Sequence, residues 1–370
     1  MRAAAPRWDR FAALPRGWAR AVLAAAVLLL LASAIVPITV GHGEAASPPS
    51  VLKVDPKSAA RARFDDLELY DHAIARIRAG ENYYAFIVSE HRAAHYPVRP
   101  GLAVRLPTLA YFDAWAGAAG QLAAALALLV GVALAWWARL GAEPGAARYR
   151  LWAMAFLLVN ASLGLNRYFF VLHELWAGML IALSLGLHRV AGEGVKARWL
   201  GAWLAAALAL ALRELALPYV LLMAALAFWR GDRREGAAWV LLAGLFGVGL
   251  GWHLHLVAAH TSLADPVGPS WLALRGLGGW LSDVVLSSNL RFLPHWLAGP
   301  LAVLMVLGWA GWKSPLGTTA ALFAAGYALA FMIAGRDDNY YWGAMVAPSL
   351  FAGLAFAPMA LRGLWRAALA

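Results

Sequence analysis

The chain has 370 residues, 62% of them hydrophobic and only 14% charged, far below the roughly 25% charged residues of a soluble domain. Its formal charge of +11 comes from arginine and lysine in short clusters between apolar runs, the pattern of topology determinants and not of a nucleic-acid groove. The absence of cysteine excludes disulfides, thiolate metal sites and cysteine nucleophiles, leaving carboxylates, His, Arg, Tyr and Lys for any chemistry.

A spanning helix needs about 20 predominantly apolar residues, and Ala21 to Val40 supplies them behind Arg16 and Arg20. A cleaved leader ending near GHGEAA is the rival reading, but the run is long for a leader's apolar core and more spans follow. Residues 41–116 then turn polar and form the largest extramembrane segment, a first external loop. Further apolar runs near 118–138, 151–165, 170–187, 199–212, 215–229, 237–257, 293–311, 317–334 and 341–359 bring the expectation to about ten spans. A second external loop covers 258–292, and residues 1–370 form a single integral-membrane domain. Several runs are short, as half-helices or tilted pieces meeting in a cavity would be.

Charge tests this parity. The loops assigned inside carry Arg139, Arg148 and Arg150, then Arg189, Lys196 and Arg198, then Arg230, Arg233 and Arg234, then Lys313, and the tail adds Arg362 and Arg366. Every one is basic, as the positive-inside rule requires, which puts both termini in the cytoplasm of a bacterial inner membrane.

The opposite face receives the first loop, the Asn166-Arg167 turn, the Arg213-Glu214 pair, the Ala258–Asn289 loop and Arg336-Asp337-Asp338-Asn339. Taken singly, each charge is an ordinary solvated cap; taken together, both signs at every external turn point to one polar site open to the outside. In the first loop, FDDLELYDHAIARIRAGENYY places Asp65 and Asp66 ahead of a helical pattern of Leu69, Ala73, Ile74 and Ile77, which predicts a helix lying along the membrane. One aspartate suffices as an N-cap; two exceed that need. The following HYPVRPGLAVRLPTLAYF is expected to run extended, with Arg99 and Arg105 binding phosphate or snorkelling.

Asp65-Asp66-Leu67-Glu68-Leu69-Tyr70, Gly80-Glu81-Asn82-Tyr83-Tyr84, Tyr96-Pro97 and Arg105-Leu106-Pro107-Thr108, with HELWAGMLIALSLGLHR, RELALPYVLLMAALAFWRGDRREG and GRDDNYYWGAMVAPSLFAGLAF further on, resemble the GT-C superfamily of integral-membrane glycosyltransferases, in a poorly characterised bacterial branch. The resemblance covers most of the chain and implies an all-α polytopic membrane fold with interfacial helices in the first external loop. It implies transfer of a sugar from a polyprenyl-phosphate donor to an envelope glycan, lipid or protein on the extracytoplasmic side, with inversion. A first-loop carboxylate would be the base: Asp66, which heads the DLELY segment, with Asp65 the close second.

Substrate and phosphate contacts are then expected from Arg105, Arg99, Tyr84, Arg167, His173, Glu174, Arg213, Arg336 and Asn339. His173 and Glu174 fall near the outer edge of a span, Arg213-Glu214 reads first as an internal ion pair at a broken helix and second as a phosphate contact, and Tyr340, Tyr341 and Trp342 read first as interfacial belt residues. His253, His255 and His260 are a weak metal signature without a fixed carboxylate; magnesium or manganese stays open as a cofactor. Two other readings stand: a transporter or lipid flippase, which calls for charges at the midplane and internal repeats, and a non-catalytic scaffold on the same fold.

Overall fold

A computed structural model describes residues 8–39, 65–190 and 198–370, without the side chains of Asp65, Asp66 and Asp337. The part of the first loop that precedes residue 65 therefore lies outside the described residues. Those described form fourteen α-helices and nine short 3-10 turns, with extended pairing limited to isolated bridges.

Five helical stretches are long and apolar enough to cross a membrane: α1 (Arg16–Ile35), α4 (Thr108–Ala142, with the turn before it), α9 (Arg233–Ala258), α12 (Pro315–Ile333) and the run Ala347–Leu369, which holds α13 (Ala347–Leu350) and α14 (Ala357–Leu369). The remaining apolar helices are short: α6 (His173–Leu187), α7 (Leu200–Leu212), α8 (Leu217–Trp229), α10 (Gly276–Leu286) and α11 (His295–Gly311). At 1.5 Å per residue a 13-residue helix such as α7 reaches about 20 Å, short of a hydrocarbon core of about 30 Å. Burial explains how such pieces persist. The long helices α1, α4 and α9 expose most of their apolar surface, as lipid-facing helices do, whereas α6 is buried along nearly its whole length and α10 is buried from Gly279 to Leu286. Surrounded by protein, a helix can end inside the bundle on polar partners instead of crossing to water.

α10 falls within the stretch read from sequence as the second external loop. Its GLGGWLSDVVL sequence is apolar but too brief to register as a span, and it is held by Arg275, whose two terminal nitrogens donate to the Asp283 carboxylate at 2.9 and 3.1 Å.

The first loop supplies α2 (Asp65–Arg78) and α3 (Tyr83–Ala93), joined through Gly80 and the Asn82 cap, whose side chain accepts from the Tyr84 N–H at 3.0 Å. Arg76 pins the pair, donating to Glu81 at 2.9 Å and Glu90 at 2.8 Å and lying 4.4 Å over the Phe86 ring. The apolar face expected on α2 exists, but it packs on protein: Leu67, Ala73 and Ile74 join Phe86, Ile87, Val171 and Val257 in one cluster. The hairpin thus roofs the ends of α6 and α9. α4 is interrupted at Gly117, where φ is +64°, a conformation that favours glycine; residues 108–116 stay with the roof and the apolar run begins beyond the break.

α5 (Arg150–Ala161) completes the bundle. Its two ends are polar in different ways. At one end, the His188 ring is 2.8 Å from Glu235, which also accepts from Trp239 at 3.1 Å and Arg230 at 3.2 Å; Arg139 pairs with Glu143 at 2.6 Å, Trp312 donates to Pro144, and Arg20 donates to Ala368. The basic loops assigned to one side by parity therefore do gather at one end. The other end of α6 begins with His173 and Glu174, about 22 Å away for a 15-residue helix.

Candidate functional site

Three chain breaks meet at that second end. α7 stops at Arg213, whose backbone is extended (φ −148°, ψ 120°), and a 3-10 turn, Glu214–Ala216, starts the chain back. α6 begins at His173 after the short turn at Arg167–Phe169. Residues 337–345 wind as 3-10 turns against α6, and Gly178 allows it: a Cβ there would collide with the Ala344 carbonyl oxygen and lie 3.1 Å from the Met345 Cα. The close approach carries Asn339 and Tyr341 to the head of α6.

Arg213 and Glu174 form the floor. Both are 1% exposed, and Arg213 Nε donates to Glu174 Oε1 at 2.6 Å. Arg213 also donates to Glu214 and sits 6.0 Å from the Trp342 ring. A carboxylate and a guanidinium removed from water lose several kcal/mol of hydration each, so this pairing is obligatory to keep either charged there.

Arg105 forms the rim. It lies in the extended stretch ahead of α4, where its carbonyl accepts from the Tyr83 hydroxyl at 2.8 Å. The neighbouring Val104 carbonyl accepts from His253 Nε2 at 3.1 Å. Since that carbonyl can only accept, the neutral His253 ring carries its proton on Nε2, and Nδ1 accepts from the Tyr84 hydroxyl at 3.1 Å. Backbone and base of Arg105 are thus fixed, while its guanidinium is loosely held: Nε to the Tyr70 hydroxyl at 3.3 Å, Nη2 to the Tyr341 hydroxyl at 3.4 Å, and 3.8 and 3.9 Å to Glu174 and Glu214. Its side chain is 12% exposed and that of Glu214 21% exposed, against 1% for the floor. Asn339 extends the rim, donating to the Tyr341 hydroxyl at 3.2 Å and accepting from the Arg336 N–H at 3.2 Å. His173 is buried with its ring 5.3 Å from Tyr70, and neither ring nitrogen reaches hydrogen-bond geometry, although the Leu106 backbone is nearby.

Of the residues singled out in the sequence, Arg105, His173, Glu174, Arg213 and Asn339 therefore converge. The side chains of Asp65 and Asp66 lie outside the described residues; in backbone register, Asp66 is the second residue of α2, one turn before Tyr70, the residue that reaches Arg105. Tyr84 serves His253 and not the rim. Arg167 is exposed on its turn. Arg336 contributes its backbone, while its guanidinium lies 5.8 Å from the Trp271 ring and 3.5 Å from Asp338. Tyr341, read from sequence as a belt residue, turns inward to Arg105, and Tyr70 and Glu214 join the cluster too. The one available signal for Tyr70 was its spacing of four from Asp66. His253 is committed to Tyr84 and Val104, and among the described residues no three His, Asp or Glu side chains are grouped to hold a metal ion.

Arg99 acts elsewhere, donating to the carbonyls of Leu263 and Asp265 at 2.9 and 3.3 Å. Beside it Arg92 grips Asp265 through two bonds of 2.7 and 2.8 Å, and the Ser262 N–H adds a third at 2.7 Å. Chiefly through Arg92, then through that N–H, the Asp265 carboxyl is held well below the ordinary carboxylate range. A depressed folded pKa stabilises above the unfolded value, about 3.9, and is lost only as pH falls through the folded one. The latch between α3 and residues 260–268 is therefore expected to hold unchanged from pH 5 to 8, whereas Asp265→Asn should open it across that range. Hydrogen exchange of residues 260–268 checks both, and protection that fades between pH 7 and 5 in the unsubstituted protein would contradict it.

No family model matches the chain, and neither a curated protein nor a solved structure does.

Proposed function

We propose that this membrane protein is a GT-C-type glycosyltransferase that moves a sugar from a polyprenyl-phosphate donor to an envelope acceptor. The observation that supports it most is the contrast between two arginines. Arg213 is saturated by Glu174 and Glu214, whereas Arg105, with every side-chain partner at 3.3–3.9 Å, can turn to a phosphate without unmaking a strong bond. A guanidinium fork suits a phosphate's oxygens, and the Tyr70 and Tyr341 hydroxyls beside it are further donors.

In the reaction, a carboxylate at the head of α2, Asp66 before Asp65, takes the proton of an acceptor hydroxyl. The oxygen attacks the anomeric carbon as the bond from that carbon to the phosphate oxygen breaks, and the electron pair leaves with the lipid phosphate. Charge grows on that phosphate in the transition state, where Arg105 opposes it. With the arginine-rich end in the cytoplasm, the site faces the extracytoplasmic side of a bacterial inner membrane. A flippase draws less support: between the two polar ends, α6 carries only apolar and small residues from Leu175 to Leu183.

The test is transfer of radiolabelled sugar from a panel of polyprenyl-phosphate donors to membrane acceptors. Asp66→Asn should lower transfer by about 10²–10⁴-fold at matched expression, with Asp65→Asn the comparison. Unchanged transfer in both would remove the first-loop carboxylates from the mechanism; no transfer by the unsubstituted protein from any donor would end the glycosyltransferase reading.

A further inference from the structure

The basic end of the bundle holds a feature that sugar transfer does not use. α14 lies antiparallel to α1, with Arg20 Nε donating to the Ala368 carbonyl at 3.0 Å, and buries Leu364 and Ala367 against Ala19. On the outer side of this contact a cavity of about 330 Å³ is lined by Leu23, Leu361, Arg362, Trp365 and Arg366, the lower end of the size range of small-ligand sites, roughly 300–1,000 Å³. Its wall is apolar, and the two arginines stand one turn apart on one face of α14, both exposed. Among the described residues, no hydrogen bond or salt bridge engages Arg362; Arg366 has the nearby charge of Asp9, whose Oδ1 accepts from the Phe11 and Ala12 N–H groups at 3.1 and 3.0 Å, and no salt bridge closes between the two. Trp365 is 57% exposed beside them, placed as a ring at a membrane interface is.

An apolar slot that opens on the exposed faces of α1 and α14 and ends in two exposed arginines is complementary to one component of the bilayer. We propose that this groove binds an anionic glycerophospholipid, its phosphate on Arg362 and Arg366 and an acyl chain along Leu23, Leu361 and Trp365. A zwitterionic lipid offers the same chain but no net charge, and soluble phosphate offers the charge but nothing for the slot.

The test uses the full chain in detergent, titrated with dioleoyl phosphatidylglycerol or dioleoyl phosphatidylcholine and read by native mass spectrometry. Each basic side chain at an anionic lipid surface contributes about fivefold, so the preference for phosphatidylglycerol should be about 25-fold. It should collapse toward unity in Arg362→Gln/Arg366→Gln and persist in the doubly Lys-substituted protein; because both positions are exposed, the fold should survive either change. Equal retention of the two lipids, or a preference that the Gln variant keeps, would overturn the site. Displacement of the bound lipid by equimolar glycerol 1-phosphate would overturn it as well, since the slot would then contribute nothing.

Discussion

Arg213→Met is expected to be the most damaging single substitution in the bundle, costing about 3–5 kcal/mol by stranding a buried carboxylate. Glu174 is 1% exposed and takes its shortest bond from Arg213, while Arg105 stands 3.8 Å away. Without Arg213, Glu174 must draw in Arg105, admit water or become protonated, and each course disrupts the meeting of α6, α7 and the 337–345 turns. The diagnostic comparison is the double variant Arg213→Met/Glu174→Gln. Replacing both members of a buried ion pair is often close to neutral, so the double variant should regain more than half of the lost stability in thermal unfolding in detergent. If it is as unstable as the single variant, the pair is not the source of the cost, and the end of α7 depends on Arg213 for packing against Trp342 or for its bond to Glu214.

Much of this arrangement was legible in the sequence, and what was not has particular physical causes. Parity of apolar runs and basic loops could be read because hydrophobic length and arginine placement are local properties, and the ends they assign together are joined through Arg139, His188, Glu235, Trp312 and Arg20. Span count is a different matter. A run of 11 to 17 apolar residues says nothing of whether it faces lipid or protein, and only tertiary packing shows α10 buried within the bundle. For the site, charge alone was informative: Arg105, Glu174 and Arg213 stand out because an ionisable group near an apolar run is costly. Tyrosines carry no such cost, so Tyr70 and Tyr341 were hidden among eleven residues of their kind. Their roles come from two close approaches, α2 onto the roof cluster and the 337–345 turns onto Gly178, that no local pattern encodes.

Arg105 should divide stability from activity in the way Arg213 does not. Arg105→Gln leaves Glu174 and Glu214 bonded to Arg213 and alters a side chain that is 12% exposed. Unfolding should therefore shift by no more than about 1 kcal/mol, the scale of an ordinary hydrogen bond. Transfer from a polyprenyl-phosphate sugar should instead fall by about 10²–10³-fold, the loss found when one preorganised donor to a developing anion is removed. Most of it should appear in kcat, because charge on the leaving phosphate is greater in the transition state than in the bound donor. Arg105→Lys keeps the charge without the fork and should recover part of the rate. Glu214→Gln supplies a test of opposite sign. Its carboxylate lies 3.9 Å from Arg105 on the open side of the cluster, where it competes with any anion. Neutralising it should tighten donor binding, lowering KM, while the buried Glu174–Arg213 floor remains. If Arg105→Gln unfolds as readily as Arg213→Met, or if Glu214→Gln weakens donor binding, then Arg105 belongs to the scaffold and the phosphate must be held elsewhere on the rim.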